Sequence, residues 1–217
     1  MKPRDEIQKP IRLIAAACRN MGIGKDGRLP WNLPGVQKSE TTLKIWDFFF
    51  RLKLEINRRT EFQFFLNTIT AVCSAGKKNL IIWGKYSWFS CPERIFPLAN
   101  SLSVVLSKKL MSVPKHAHYM CEDFVSAVKL ASHPPLSDLV ETIWILGGTQ
   151  VYKEALEHPW CDLIYLTDIM ADFDCDVFFP SFDQNVYRKQ NKFPGVPDEI
   201  QEENGLKFRF QVFRKES

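Results

Sequence analysis

With 217 residues, 45% of them apolar and 25% charged, the chain has the composition of a globular protein with a full core, near the upper end for one compact domain. A net charge of +4 is too small to mark a nucleic-acid binder, so nucleic acid is not expected as a partner; it suits a pocket for small anions. The six cysteines are scattered with no C-x-x-C pair, which excludes a zinc ribbon or a redox motif of that kind.

In chain order, the opening "MKPRDEIQKP" has no apolar core of a secretory signal. Residues 1–10 therefore read as an N-terminal extension on a cytoplasmic protein with free thiols. No apolar run reaches the ~18 residues of a membrane span, so no membrane partner is expected. "IRLIAAAC" is the first of four runs rich in Ile, Val and Leu; the others are "KNLIIWG", "SLSVVLS" and "TIWILGG". None alternates strictly, as expected of strands covered on both faces. The stretch 35–60, "GVQKSETTLKIWDFFFRLKLEINRRT", breaks the rhythm and reads, over 35–59, as a surface insertion without fixed structure. "EFQFFLNTIT" is helical in pattern, with Phe62, Phe65 and Leu66 on one side; "EDFVSAVKLAS" and "GTQVYKEALEH" are similar. The last segments, "DLIYLTDIM", "DVFFPSF" and "LKFRFQVFRK", alternate as half-exposed antiparallel strands do, and Asn204-Gly205 signals a hairpin turn before the final one. The sum is a single three-layer α/β domain over 11–217 with a mostly parallel sheet. His116 and His118 form an H-x-H, but without a third ligand nearby no metal site is assigned.

Two glycine sites compete for a phosphate. "MGIGKDGRLPW" contains G-x-G-x-x-G after a strand, but Pro30 and Pro34 forbid the helix that a dinucleotide loop must enter. Asp26 stands where a P-loop needs Ser or Thr. Asp26-Gly27 instead reads as a turn, with Gly22 and Gly24 giving a flexible loop. Gly147-Gly148 is better placed, at the end of a buried strand and the start of a helix, with the amides of Thr149, Gln150 and Val151 pointing outward. An ordinary tight strand-to-helix turn would look the same.

"NMGIGKDGRLPW", "EFQFF", "NLIIWGKYSWFSCPE", "WILGGTQVYKEAL", "DVFFP" and "FPGVPDEIQEENG" together resemble dihydrofolate reductases of the vertebrate type, in order and spacing from Ile11 onward except for one insertion between Trp31 and Glu61. The resemblance implies a dihydrofolate-reductase-like fold: an eight-stranded, mostly parallel sheet with an antiparallel C-terminal strand and four flanking helices. It also implies NADPH as cofactor, dihydrofolate as substrate and no obligate protein partner. By resemblance Glu61 faces the pterin, bonding its N3 and 2-amino group, and an apolar pocket should raise its pKa. Trp31 would hold the water that passes polarity or a proton to the pterin, and Thr167 would hydrogen-bond the glutamate. Leu29 belongs to the loop that closes over the reacting rings. Ile14 and Leu146 would offer carbonyls to the pterin. Phe62, Phe65, Leu66, Leu98, Tyr152 and Ser90 would line the substrate site. Ala16, Gly22, Ile23, Gly24 and Gly27 would surround the nicotinamide. Gly84, Lys85, Ser87, Ser107, Lys108, Gly147 and Gly148 would meet the phosphates and adenosine, with Thr149, Gln150 and Val151 behind them.

Four positions depart from the family pattern. Ser101 stands where the resemblance implies an arginine gripping the substrate's glutamate tail, a loss of about 2–3 kcal/mol, or ~30- to 150-fold in binding. Glu122 stands where an arginine is implied near the 2′-phosphate, and Lys108 replaces an arginine with a point charge. Leu66 replaces a polar residue. A weakly catalytic homologue that binds pterin or nucleotide is the alternative these changes raise.

Overall fold

A computed structural model describes residues 7–31 and 60–216. The expected insertion at 35–59 and the first six residues of the expected extension lie outside the described residues. Residues 7–10 belong to the folded body: Ile7 donates its amide to Ser132 O at 3.2 Å, Lys9 Nζ reaches Ser137 O at 2.7 Å, and Pro10 O accepts from Ile143.

The four apolar runs are strands β1 (Ile11–Cys18), β3 (Lys78–Gly84), β4 (Ser101–Leu106) and β6 (Val140–Ile145). The shorter β2 (Gly22–Gly24) and β5 (Tyr119–Cys121) fall between them, and β7 (Cys161–Ile169), β8 (Val177–Phe178), β9 (Tyr187–Lys189), β10 (Gln201–Glu203) and β11 (Leu206–Lys215) follow. The helices are α1 (Thr60–Thr70), α2 (Lys85–Ser90), α3 (Phe124–Ser132), α4 (Leu136–Leu139) and α5 (Thr149–Glu157). The described residues thus carry five helices rather than four, two of them short.

The main sheet runs β10-β11-β7-β1-β6-β3-β4-β5, with β9 added on β11. From β5 to β7 every neighbouring pair is parallel, and β11 closes the sheet antiparallel to β7. Alternate residues feed two layers. Ile11, Leu13, Leu80, Ile82, Ile143 and Ile145 pack under α3 and α5, while Ile14, Ile81, Trp83, Trp144 and Leu146 pack under α1 and α2. Double-sided cover is what removes the alternation from these strands.

Two expectations about the later strands are corrected. β7 is an interior strand, buried along most of its length between β1 and β11, not a half-exposed one. Its charged positions are cross-strand pairs: Asp162 takes Arg12 of β1, and Asp168 takes Arg209 and Gln211 of β11. "DVFFPSF" supplies only Val177–Phe178, which pair with β2 in a separate two-stranded ribbon. The hairpin at Asn204-Gly205 is present; both residues have positive φ, 53° and 77°, as a type I′ turn requires.

Candidate active site

The sheet opens at its centre. β1 and β6 are in register only over Ile11–Leu13 and Ile143–Ile145, whereas β1 follows β7 as far as Cys18 opposite Ile169. Past β6, Leu146 turns its amide to Ile82 O of β3 at 3.0 Å. Ile14–Ala16 therefore face Leu146–Gly147 across a slot at the carboxyl ends of parallel strands, where sheets of this class take ligands. Tyr152, buried on α5, donates its hydroxyl to Ile14 O at 2.8 Å. A carbonyl has two lone pairs, so Ile14 O can accept a second donor.

Glu61 begins α1, and the Thr167 hydroxyl of β7 hydrogen-bonds its carboxyl. Thr167 is buried and sits opposite Ala16 in the sheet, which places the carboxyl beside the slot. Burial pushes the Glu61 carboxyl from the ordinary 4.5 up to about 7; the Thr167 bond pulls it down, and the Glu203 carboxylate of β10 adds to the rise. Such a group holds its proton close to neutrality, which a solvated helix-start glutamate does not. Trp31 lies in a buried cluster with Cys18, Ile169, Phe208 and Phe210, against Ala16 and Phe64. Its Nε1 has no partner among the described residues, so a donor is available at the wall of the site.

α1 is fixed at both ends. Phe64 packs on Phe210 with ring centroids 3.9 Å apart, Phe62 stacks on Phe65 at 5.9 Å, and Phe65, Leu66 and Leu98 join the layer around Ile14 and Leu146. At its far end, buried Asn79 donates to Ile69 O and Ala71 O, satisfying carbonyls that a helix C-terminus leaves open. Leu29 is 47% exposed in the segment leading to Trp31.

Three glycines converge at the ends of β3 and β6. Gly84 N donates to Gly147 O at 2.6 Å, and a Cβ on Gly84 would meet Gly148 N at 2.8 Å. Gly147 has φ of +96°, and a Cβ there would strike Ser87 Oγ at 2.9 Å. A single methyl group at either position would occupy this approach. Gly148 is the N-cap of α5 and brings no side-chain cap, so the first-turn amides of Thr149, Gln150 and Val151 are left for an anion. Lys85 and Ser87 start the next helix from β3, and Ser107 and Lys108 follow β4, all on the same edge of the sheet. The set fits a phosphorylated nucleotide.

The family model for dihydrofolate reductase matches residues 64–215. The chain belongs to the dihydrofolate reductase family. It is 38% identical to the dihydrofolate reductase of Bos taurus over 207 residues, covering 95% of this chain and 98% of that one. It is 33% identical to that of Aedes albopictus over 208 residues, 95% of this chain and 98% of that one. Among solved structures it resembles the Schistosoma mansoni dihydrofolate reductase, with a TM-score of 0.71 at 27% identity over 96% of this chain and 100% of that one.

Several of the expected site residues have roles in the protein's own architecture. Gly22 and Gly24 were expected to lend flexibility to their loop; Gly22 is instead a packing necessity, since a Cβ there would lie 2.3 Å from Cys175 Sγ, and Gly24 faces Val177 at 3.3 Å. Ile23 packs on the α3/α5 layer, and Gly27 forms with Asp26 the tight turn read from the sequence, closed by mutual Lys25–Arg28 backbone bonds of 2.9 Å. Ser90 is exposed and bonds back to Tyr86 O. Ser101 is buried, and its hydroxyl is bonded to Ala99 O at 2.7 Å, so it offers nothing to a distant carboxylate. Ser107 Oγ accepts from the amides of Lys109 and Leu110, Thr149 donates to Phe178 O, and Gln150 donates to Glu154. Glu203 and Phe64 were missed. For Glu203 the sequence carries no signal, since only the β10–β11 hairpin brings it near Glu61. Phe64 was legible as a fourth apolar residue on a broad helix face.

Proposed function

We propose that the protein reduces 7,8-dihydrofolate to 5,6,7,8-tetrahydrofolate using NADPH. The observation that carries the proposal is the inward carboxyl of Glu61, bonded by Thr167 and raised to about 7, beside a slot in the sheet. The named relatives support the substrate class, and the glycine junction with the uncapped α5 supports a nucleotide. When bound, NADPH supplies the hydride that C6 of the pterin receives. Glu61 holds the pterin N3 and 2-amino group, and below about pH 7 it retains a proton for delivery toward N5. Thr167 fixes the carboxyl. Trp31 offers its indole N–H at the wall, and Ile14 and Leu146 offer carbonyls. Phe62, Phe65, Leu66 and Leu98 exclude water from the ring and its tail. Gly147, Gly148 and the α5 amides bind the pyrophosphate, with Lys85, Ser87, Ser107 and Lys108 toward the adenosine end. Ala16 and the segment of Gly22, Ile23, Gly24, Gly27 and Leu29 cover the nicotinamide. The same reading keeps residues 11–217 as one domain with an insertion at 35–59, acting in the cytoplasm without an obligate protein partner.

The assay is loss of reduced-nicotinamide absorbance with dihydrofolate. The expected result is turnover that is lost in Glu61→Ala and that declines as pH rises through about 7. No rate above that variant would overturn the reading and leave a pterin- or nucleotide-binding protein.

A further inference from the structure

Two cysteines that are 157 positions apart in sequence meet in space. Cys18 Sγ and Cys175 Sγ are 3.7 Å apart, one at the end of β1 and the other in the segment leading into β8. The Cys18 thiol donates to Asn20 Oδ1 at 2.9 Å, which leaves its sulfur to accept from Cys175. Asn20 Oδ1 also accepts the Gly22 amide at 3.1 Å, and Asn20 Nδ2 donates to Phe173 O at 3.4 Å. The Cys175 sulfur rests directly on Gly22, where a Cβ would lie 2.3 Å away. The two thiols are thus held against each other at the seam between β1 and the β2–β8 ribbon. Both belong to the cluster that contains Trp31. The remaining cysteines lie elsewhere: Cys73 after α1, Cys91 after α2, Cys121 at the end of β5 and Cys161 at the start of β7.

We propose that Cys18 and Cys175 form a dithiol–disulfide pair whose oxidation staples the β2–β8 ribbon to β1 and slows turnover. The bond requires only the facing thiols; the effect on turnover rests on the reductase reading above. The oxidant is a low-molecular-weight disulfide such as oxidised glutathione. Cys175, the more accessible of the two, loses its proton and attacks one sulfur, releasing one glutathione thiol. Cys18 then loses its proton and attacks Cys175 Sγ, forming the protein disulfide and releasing the second glutathione thiol. Two protein thiols are oxidised and one glutathione disulfide is reduced to two thiols.

The surroundings set the rate. Burial, the Cys18 thiol, and Asp174 and Asp176 on the same segment push the Cys175 thiol up to about 11; Lys25, from the β2 side, is engaged with Asp174 at 3.1 Å. The reaction is therefore slow at neutrality and accelerates as pH rises through about 8 and 9. A bond joining such distant residues closes a long loop and should raise Tm by about 5–10 °C. It also fixes the ribbon beside the Leu29–Trp31 segment, and a fixed covering segment should slow kcat by roughly threefold or more.

The test exposes the folded, untreated protein to oxidised glutathione near pH 8, followed by acid quenching, alkylation, proteolysis and mass spectrometry. The expected result is a linked Cys18–Cys175 peptide, a higher Tm and a lower kcat, all reversed by dithiothreitol and all absent in Cys175→Ser. A protein that carries stable glutathione on Cys175 with Cys18 still alkylated, or that yields the linked peptide only after denaturation, overturns the pair. A linked peptide with unchanged kcat overturns the brake on turnover. If the untreated protein lacks reductase activity, the functional reading fails, while the peptide and Tm still decide the disulfide.

Discussion

Replacing Glu61 with glutamine should make the protein more stable while removing its activity. The Glu61 carboxyl is pushed from 4.5 to about 7, chiefly by burial, so the folded state prefers its neutral form. The folded protein holds this proton more tightly than the unfolded chain does. Below about pH 4.5 the group is neutral in both states and costs nothing. Between about 4.5 and 7 the unfolded chain ionises first, and stability falls as pH rises. Above about 7 the full penalty is present, about 2–3 kcal/mol after allowing for the partial exposure of the residue. Glutamine is neutral at every pH and can still accept from Thr167. Urea unfolding of both proteins at about pH 4 and about pH 8 should show near-equal midpoints at the lower pH. At the higher pH the variant should gain about 1 M or more in urea midpoint, given a slope of roughly 2 kcal/mol per M. kcat should fall by about 100-fold or more. A variant that is no more stable at pH 8, or whose gain is the same at both pH values, would refute the reasoning.

Other substitutions probe other parts of the site. Asn79→Ala leaves two helix-end carbonyls of α1 without their donor and should cost about 2–3 kcal/mol in denaturant unfolding, with KM for dihydrofolate rising because α1 carries Glu61. Gly84→Ala sets a methyl 2.8 Å from Gly148 N; nucleotide affinity by titration should drop roughly tenfold or more, more than pterin affinity does. Ser101→Arg should lower KM for glutamate-tailed dihydrofolate by about tenfold or more while leaving a tail-less pterin unaffected, and equal changes for both would count against the assignment of that position. Tyr152→Phe removes the hydroxyl from Ile14 O and should cost about 1 kcal/mol in thermal or denaturant unfolding.

The sequence was legible where a local pattern reports a local environment. The apolar runs of β1, β3, β4 and β6 announced their double cover, and Asn204-Gly205 and Asp26-Gly27 announced turns that only positive φ permits. β7 misled because its charged residues belong to cross-strand pairs with Arg12 and Arg209, contacts that periodicity cannot distinguish from solvent exposure. The site was harder to read, since slot and carboxyl depend on which strands become neighbours. Glu61 alone looks like a surface residue at a helix start, and Glu203 looks like part of an acidic loop. Their proximity is a product of the β10–β11 hairpin. The role of Gly22 was hidden for the same reason, because the side chain that excludes a methyl group there belongs to Cys175.

The pairing of β1 also sets a timetable. Ile11 finds its partners at Ile143 and Cys161, roughly 130 and 150 residues later in synthesis. On a ribosome the first strand must wait for most of the chain, and one wall of the slot is completed only when β7 has emerged. Glu61 likewise meets Thr167 only then, so no partly synthesised chain lacking β7 can hold its proton as the finished protein does. The raised carboxyl is thereby a product of completion, and a chain that ends between β6 and β7 has β1, β3, β4 and β6 but not the Thr167 that contacts Glu61.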